Sequence, residues 1–143
     1  MIYYESMTEE QTFNIGYQIG QNAKIGEIYC LIGDLGVGKT IFSKGFAKGL
    51  DIKESVTSPT FTIIQEYYGS MPLYHFDMYR IEDSDELEMI GYEDYFYGQG
   101  VCLVEWANNV SEVIPKEAKW IFIEKDLTKG FDYRKVSIKE VEA

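Results

Sequence analysis

The sequence predicts a single α/β domain over residues 1–143, a three-layer sandwich with parallel central strands and antiparallel strands or hairpins at its margins. Three observations predict it. Short apolar runs are interleaved with helical patterns, the order of βαβ units. Two of those runs, 27–32 and 101–105, read as buried strands, the second apolar without alternation as a strand covered on both faces should be. Two pairs of β-rich runs, 61–68 with 73–78 and 120–124 with 133–138, are each joined by a turn, which reads as two antiparallel hairpins.

Taken in order, Thr8-Glu9-Glu10-Gln11 has the spacing of a capping box and opens a helix running to about Asn22. Gly16 and Gly20 lie four apart on that helix and predict close packing against a neighbouring element. Gly26 turns the chain into the first buried strand. A glycine-rich loop follows, then a helix from Lys39 to about Lys48, with Gly49 in the position of a C-cap. After a loop at 51–55, Gly69-Ser70-Met71-Pro72 supplies the turn of the first hairpin. An acidic helical stretch at 84–90 leads past Gly91 to a short helical piece at 92–97, and Gly98-Gln99-Gly100 releases the chain into the second buried strand. Thr128-Lys129-Gly130 lies in the turn of the last hairpin. No repeat or low-complexity linker divides the chain.

Composition bounds the function. At 45% hydrophobic and 15% aromatic residues, the chain is too apolar to be disordered. No apolar run reaches the ~18 residues of a membrane span, and residues 1–5 lack a basic stretch leading into an apolar one, so a cytoplasmic location is expected. Cys30 and Cys102 each sit inside an apolar run and read as reduced, buried strand residues. The net charge of -11, with 24 acidic residues against 13 basic ones, argues against strong direct binding to nucleic acid and fits either a basic protein partner or a surface that is acidic for solubility alone.

The chemistry lies in the glycine-rich loop. Gly33-Asp34-Leu35-Gly36-Val37-Gly38-Lys39-Thr40 satisfies G-x-x-x-x-G-K-[ST], between an apolar strand and a helix. Its glycines allow backbone N–H groups to turn around a β-phosphate, with the positive end of the helix behind them. Lys39 reaches the β- and γ-phosphates, and Thr40 ligates magnesium through its hydroxyl. The expected ligands are therefore ATP and Mg2+, and the fold class is of the P-loop NTPase type. Such a loop needs an acid at the end of a neighbouring strand to hold the metal or its waters. Glu105, closing an apolar run, is the first candidate. Asp77, closing an alternating and so half-exposed run, is the second, polarising the attacking water or meeting the metal through water. Ser58-Pro59-Thr60-Phe61 occupies the place of a γ-phosphate sensor, though a plain helix-to-strand turn explains it as well. His75 reads as a satisfied, half-buried histidine, Trp106 as a core or rim aromatic, and Arg80 as the partner of Glu82 or Asp83.

Together these pieces resemble the TsaE family of small bacterial ATPases of tRNA threonylcarbamoyladenosine synthesis. The resemblance is carried by the loop 33–40, Ser58-Pro59-Thr60-Phe61, His75-Phe76-Asp77-Met78-Tyr79-Arg80, Asp85-Glu86-Leu87, Gly91-Tyr92-Glu93-Asp94-Tyr95 and Glu105-Trp106-Ala107. It implies a weak ATPase acting with the TsaD and TsaB proteins. It further implies Asp77 as a required active-site acid, Glu105 as the magnesium acid, Thr60 as a switch residue, and Trp106 on the nucleotide or partner surface. Residues 34–41, with Thr60 and Trp106, form the implied ATP contacts. The family commonly has a second hydroxyl directly after the loop threonine; here Ile41 stands there, which leaves a backbone N–H for the α-phosphate.

Three other functions fit the loop alone. A small-molecule P-loop kinase needs arginines in a lid, and the chain has only Arg80 and Arg134. A GTPase needs an Asn-Lys-x-Asp motif, which is absent from the sequence. A nucleotide-dependent binding module differs from a weak ATPase only in rate. The shortage of arginines also predicts slow turnover without a partner.

Overall fold

The computed structural model of the chain describes residues 2–34, 36–57 and 63–140. The expectations placed on Leu35 and on 58–62, among them Ser58, Pro59, Thr60 and Phe61, lie outside the described residues. The elements are β1 (Ile2–Ser6), α1 (Glu9–Gln21), β2 (Ile28–Ile32), α2 (Lys39–Gly49), β3 (Ile64–Tyr68), β4 (Pro72–Asp77), α3 (Ser84–Met89), α4 (Tyr92–Phe96), β5 (Val101–Glu105), β6 (Lys119–Lys125) and β7 (Arg134–Glu140). Among the described residues a seven-stranded sheet runs in the order β1-β7-β6-β2-β5-β4-β3. The four strands β6, β2, β5 and β4 are mutually parallel, while β3 at one margin and β7 and β1 at the other pair antiparallel. This is the predicted α/β sandwich.

The period of two along the central strands sorts their side chains to two cores. Tyr29, Leu31, Leu73, Leu103, Ile121 and Ile123 face one, with Ile15, Phe42 and Phe46 of α1 and α2. Ile28, Cys30, Phe76, Cys102 and Val104 face the other, with Leu87 of α3 and Phe96 of α4. β4 is therefore not the half-exposed strand its alternation suggested. It lies between β5 and β3 with Leu73, His75 and Phe76 all buried and Pro72, Tyr74 and Asp77 partly so.

Thr8 caps α1 by accepting from the Gln11 N–H at 3.1 Å, as predicted. The return contact falls one residue early, on the Met7 N–H at 2.7 Å. Against α2, α1 packs at backbone contact: a Cβ on Gly16 would sit 2.3 Å from the Phe42 carbonyl oxygen, and one on Gly20 2.1 Å from that of Phe46. The contact is reciprocal, because a Cβ on Gly49 would lie 2.3 Å from the Tyr17 oxygen. Gly49 is accordingly the last residue of the helix, with Leu50 as its cap, and is a glycine for packing and not for a left-handed turn. Two elements had no forecast: β1, and the 3-10 turn Ala107–Val113 after β5. The first strand of the leading hairpin begins at Ile64; in the last hairpin β6 is longer than predicted at both ends, while β7 begins one residue late, at Arg134, and runs two residues further, to Glu140.

Candidate functional site

At the C-terminal edge of the parallel strands the sheet delivers its polar side chains to one place. β2 ends into the loop 33–38, in which Gly36 (φ 78°) and Gly38 (φ 106°) take left-handed conformations that glycine adopts at little cost. Val37 between them anchors the loop, its side chain 2% exposed in the core. Gly38 begins α2 with no side-chain cap, whereas Thr8 caps α1. The first turn of α2 thus keeps N–H groups for an anion, with Lys39 and Thr40 in it. Ile41 is half-buried on the same turn.

Both acids arrive from neighbouring strands. Asp77 and Glu105 are register partners across β4 and β5, and Glu105 is also paired with Leu31 of β2. Counting by two, His75, Asp77 and Glu105 share the face that carries α2. His75 is fully buried, and its Nε2–H donates to Glu105 Oε2 at 2.6 Å. Its Nδ1 has no partner among the described residues. His75 is thus neither half-buried nor fully satisfied; it holds the carboxylate of Glu105, itself 3% exposed. Asp77 is more open, and its Oδ1 accepts from the Tyr79 N–H at 2.9 Å. Burial pushes Asp77 above the usual carboxylate value, and the Glu105 charge adds to this, against the pull of the Tyr79 N–H, His75 and Lys39.

Trp106 follows Glu105 in a left-handed conformation (φ 58°), an unusual cost for a bulky residue at the mouth of the site. The strain places its ring beneath Lys39, whose Nζ lies 4.4 Å from the ring centroid, and 4.9 Å from the Tyr79 ring centroid. Asn109, which sequence reasoning missed, donates to the Met78 and Tyr79 carbonyls at 3.0 and 3.3 Å and so ties the turn after β5 to the segment after Asp77. Arg80 is exposed and makes no ion pair with Glu82 or Asp83 among the described residues; the Asp83 carboxylate instead accepts from the Asp85 N–H at 2.8 Å, capping α3.

Among the described residues, two recesses flank the loop. A cleft of about 130 Å3 is lined by Gly33, Asp34, Lys39, Trp106 and Asn108 on the side of the acids. A wider one of about 630 Å3 lies on the other side, between Gly33, Asp34 and Val37 of the loop and Phe122 to Lys125 at the end of β6. The donor set fits a polyphosphate with a divalent cation. It combines an uncapped helix start, a lysine, a helix-borne threonine hydroxyl and two carboxylates side by side on adjacent strands.

The family model described as "Threonylcarbamoyl adenosine biosynthesis protein TsaE" matches residues 6–135. The chain belongs to the TsaE family. A relative from Bacillus subtilis (strain 168), named tRNA threonylcarbamoyladenosine biosynthesis protein TsaE, is 48% identical over 139 residues, 96% of this chain and 85% of its own. A TsaE protein of the same description from Treponema pallidum (strain Nichols) is 40% identical over 111 residues, 78% of this chain and 82% of that one. A crystal structure of Bacillus subtilis YdiB superposes with a TM-score of 0.79 at 41% identity, covering 99% of this chain and 86% of the other. The P-loop NTPase-like sandwich predicted from the sequence is therefore a TsaE fold. No helix among the described residues is long and apolar enough to cross a membrane.

Proposed function

We propose that the chain binds ATP with magnesium and hydrolyses it slowly, as an accessory protein in the threonylcarbamoyladenosine modification of tRNA that acts with the TsaD–TsaB complex. The observation that carries the reading is the pairing of Asp77 and Glu105 across adjacent strand ends, on the face of the sheet where α2 brings Lys39. Lys39 is the cation for the β- and γ-phosphates, and Thr40 and Glu105 are the groups that would hold the metal. When bound, the metal neutralises charge that develops on the phosphates. Asp77 Oδ2, whose sister oxygen is occupied by the Tyr79 N–H, would take a proton from water as that water attacks the γ-phosphorus and ADP departs. Its raised pKa makes it a better base than an exposed aspartate. The wider recess beside β6 has room for the nucleoside.

The relatives' shared description, tRNA threonylcarbamoyladenosine biosynthesis, supports the pathway. Arg134 is engaged by backbone carbonyls through Nε and Nη1, and Arg80 is the chain's other arginine, which supports slow turnover alone. Phosphate release is the test, measured with the isolated protein and again with TsaD and TsaB added. Acceleration by the complex is expected, and equal rates would sink the partnership. Lys39→Ala and Glu105→Ala should each abolish release; an unimpaired Glu105→Ala protein would move the metal role to Asp77.

A further inference from the structure

The C-terminal hairpin is the part of the chain that the resemblance leaves without a task, yet its strand β7 begins with a contact to the phosphate loop. Arg134 Nε–H donates to the Val37 carbonyl at 2.6 Å. The same guanidinium is fixed by the Phe131 and Tyr133 carbonyls, at 3.0 and 2.7 Å from Nη1. Its planar fork is thus held by the hairpin through Nη1, while Nε–H donates to the loop.

A trans peptide couples that contact to the ligand side. No cis peptide bond occurs among the described residues, so the Val37 C=O and the Gly38 N–H point in opposite directions. Holding the carbonyl outward on Arg134 turns the Gly38 N–H inward, and no backbone carbonyl among the described residues accepts it. The buried Val37 side chain prevents the plane from rotating by moving the whole residue. Left-handed glycines on both sides, at 36 and 38, would otherwise let this peptide flip readily.

We propose that Arg134 is a positioning residue for a nucleoside di- or triphosphate, which presets the Gly38 N–H toward the phosphates through the Val37 carbonyl and makes the β6–β7 hairpin part of the nucleotide site. The inference rests on the nucleotide reading above. It requires that Arg134 act on affinity rather than on the chemical step, and that ADP and ATP be affected alike, since the loop meets phosphates they share.

The test is calorimetric titration of ADP and of ATP with magnesium into wild type, Arg134→Met and Arg134→Lys, together with kcat and KM for hydrolysis. Arg134→Met keeps the stem and loses every donor; it should bind both nucleotides about tenfold more weakly, with KM raised and kcat near wild type. Arg134→Lys, a point donor without the fork, should fall between the two, and it decides the matter if the methionine variant does not fold. Millimolar methylguanidinium should restore affinity to Arg134→Ala, which a purely structural loss would not allow. Unchanged affinity in the variant that folds, or a lowered kcat at unchanged KM, overturns the inference. Wild-type protein that binds neither nucleotide overturns the nucleotide reading, and this inference with it.

Discussion

Glu105 is gripped from behind by a residue that sequence alone ranked as bland. The 2.6 Å contact between His75 and Glu105 lies inside the sheet, so His75→Leu would leave a buried carboxylate without its donor. We expect a loss of ~2–4 kcal/mol in unfolding free energy, read from urea titrations; a loss within error of zero would mean that Glu105 finds another donor. The two cysteines make a second prediction at this scale. Burial pushes the thiols of Cys30 and Cys102 up to about 12, so neither is nucleophilic at neutral pH. Labelling with an aromatic disulfide reagent should wait for unfolding, and immediate reaction of either thiol would contradict the burial. The acids and the loop residues were legible because each is marked by its own neighbours: an apolar run before it, or glycines at fixed spacing. The His75–Glu105 and Arg134–Val37 contacts span 30 and 97 residues, and no local pattern carries such a pairing.

Elements meet here through backbone as much as through side chains. The α1–α2 contact leaves no space for a methyl group, since a Cβ on Gly20 would fall 2.1 Å from a carbonyl oxygen of α2. Gly20→Ala should therefore cost ~2–3 kcal/mol although alanine is the better helix former, and a stabilised variant would refute the close approach. Glu27 fastens the entry to β2. It accepts from the Lys24 N–H at 2.6 Å and the Tyr29 hydroxyl at 2.9 Å, and pairs with Lys119 of β6 at 2.7 Å. Burial pushes its pKa up, but the Lys119, Lys24 and Tyr29 contacts outweigh this and hold it below the ordinary 4.5. A depressed folded value means the stabilisation is complete above 4.5 and is lost as pH falls below it. Glu27→Gln should lower stability by ~1 kcal/mol at pH 7, with the gap closing in acid; a gap independent of pH would remove the charge from the account. Helices and central strands were legible in sequence because their periodicity is local. β1 was not: mostly exposed, it has no apolar pattern of its own and exists by pairing with β7, Ile2 opposite Ile138.

Over the whole molecule the net charge of -11 sets how the chain meets a tRNA pathway. Several of its basic side chains are matched by acids. Lys44, Lys48 and Lys53 line a shallow cleft on the outer side of α2, but Glu54 shares it. Lys119 is spent on Glu27 and Lys129 lies near Glu5. Neutralising phosphates along an RNA duplex needs several unopposed cations, and the surrounding acidic field adds a repulsive cost that only high salt screens. The proposed nucleotide site would escape that cost, because its donors are backbone N–H groups and one enclosed lysine. ATP with magnesium at about 100 times its Kd should thus contribute ~2.7 kcal/mol and raise the melting temperature by roughly 5–10 °C. Direct binding of tRNA should be absent at physiological salt, with no saturation in fluorescence anisotropy up to about 100 μM protein. Saturable binding that weakens steeply with salt would reverse this, and its loss in Lys44→Glu would put the RNA on the face of α2. If anisotropy instead stays flat until TsaD and TsaB are added, the acidic surface is a feature that directs the protein to a protein partner and keeps it off the RNA.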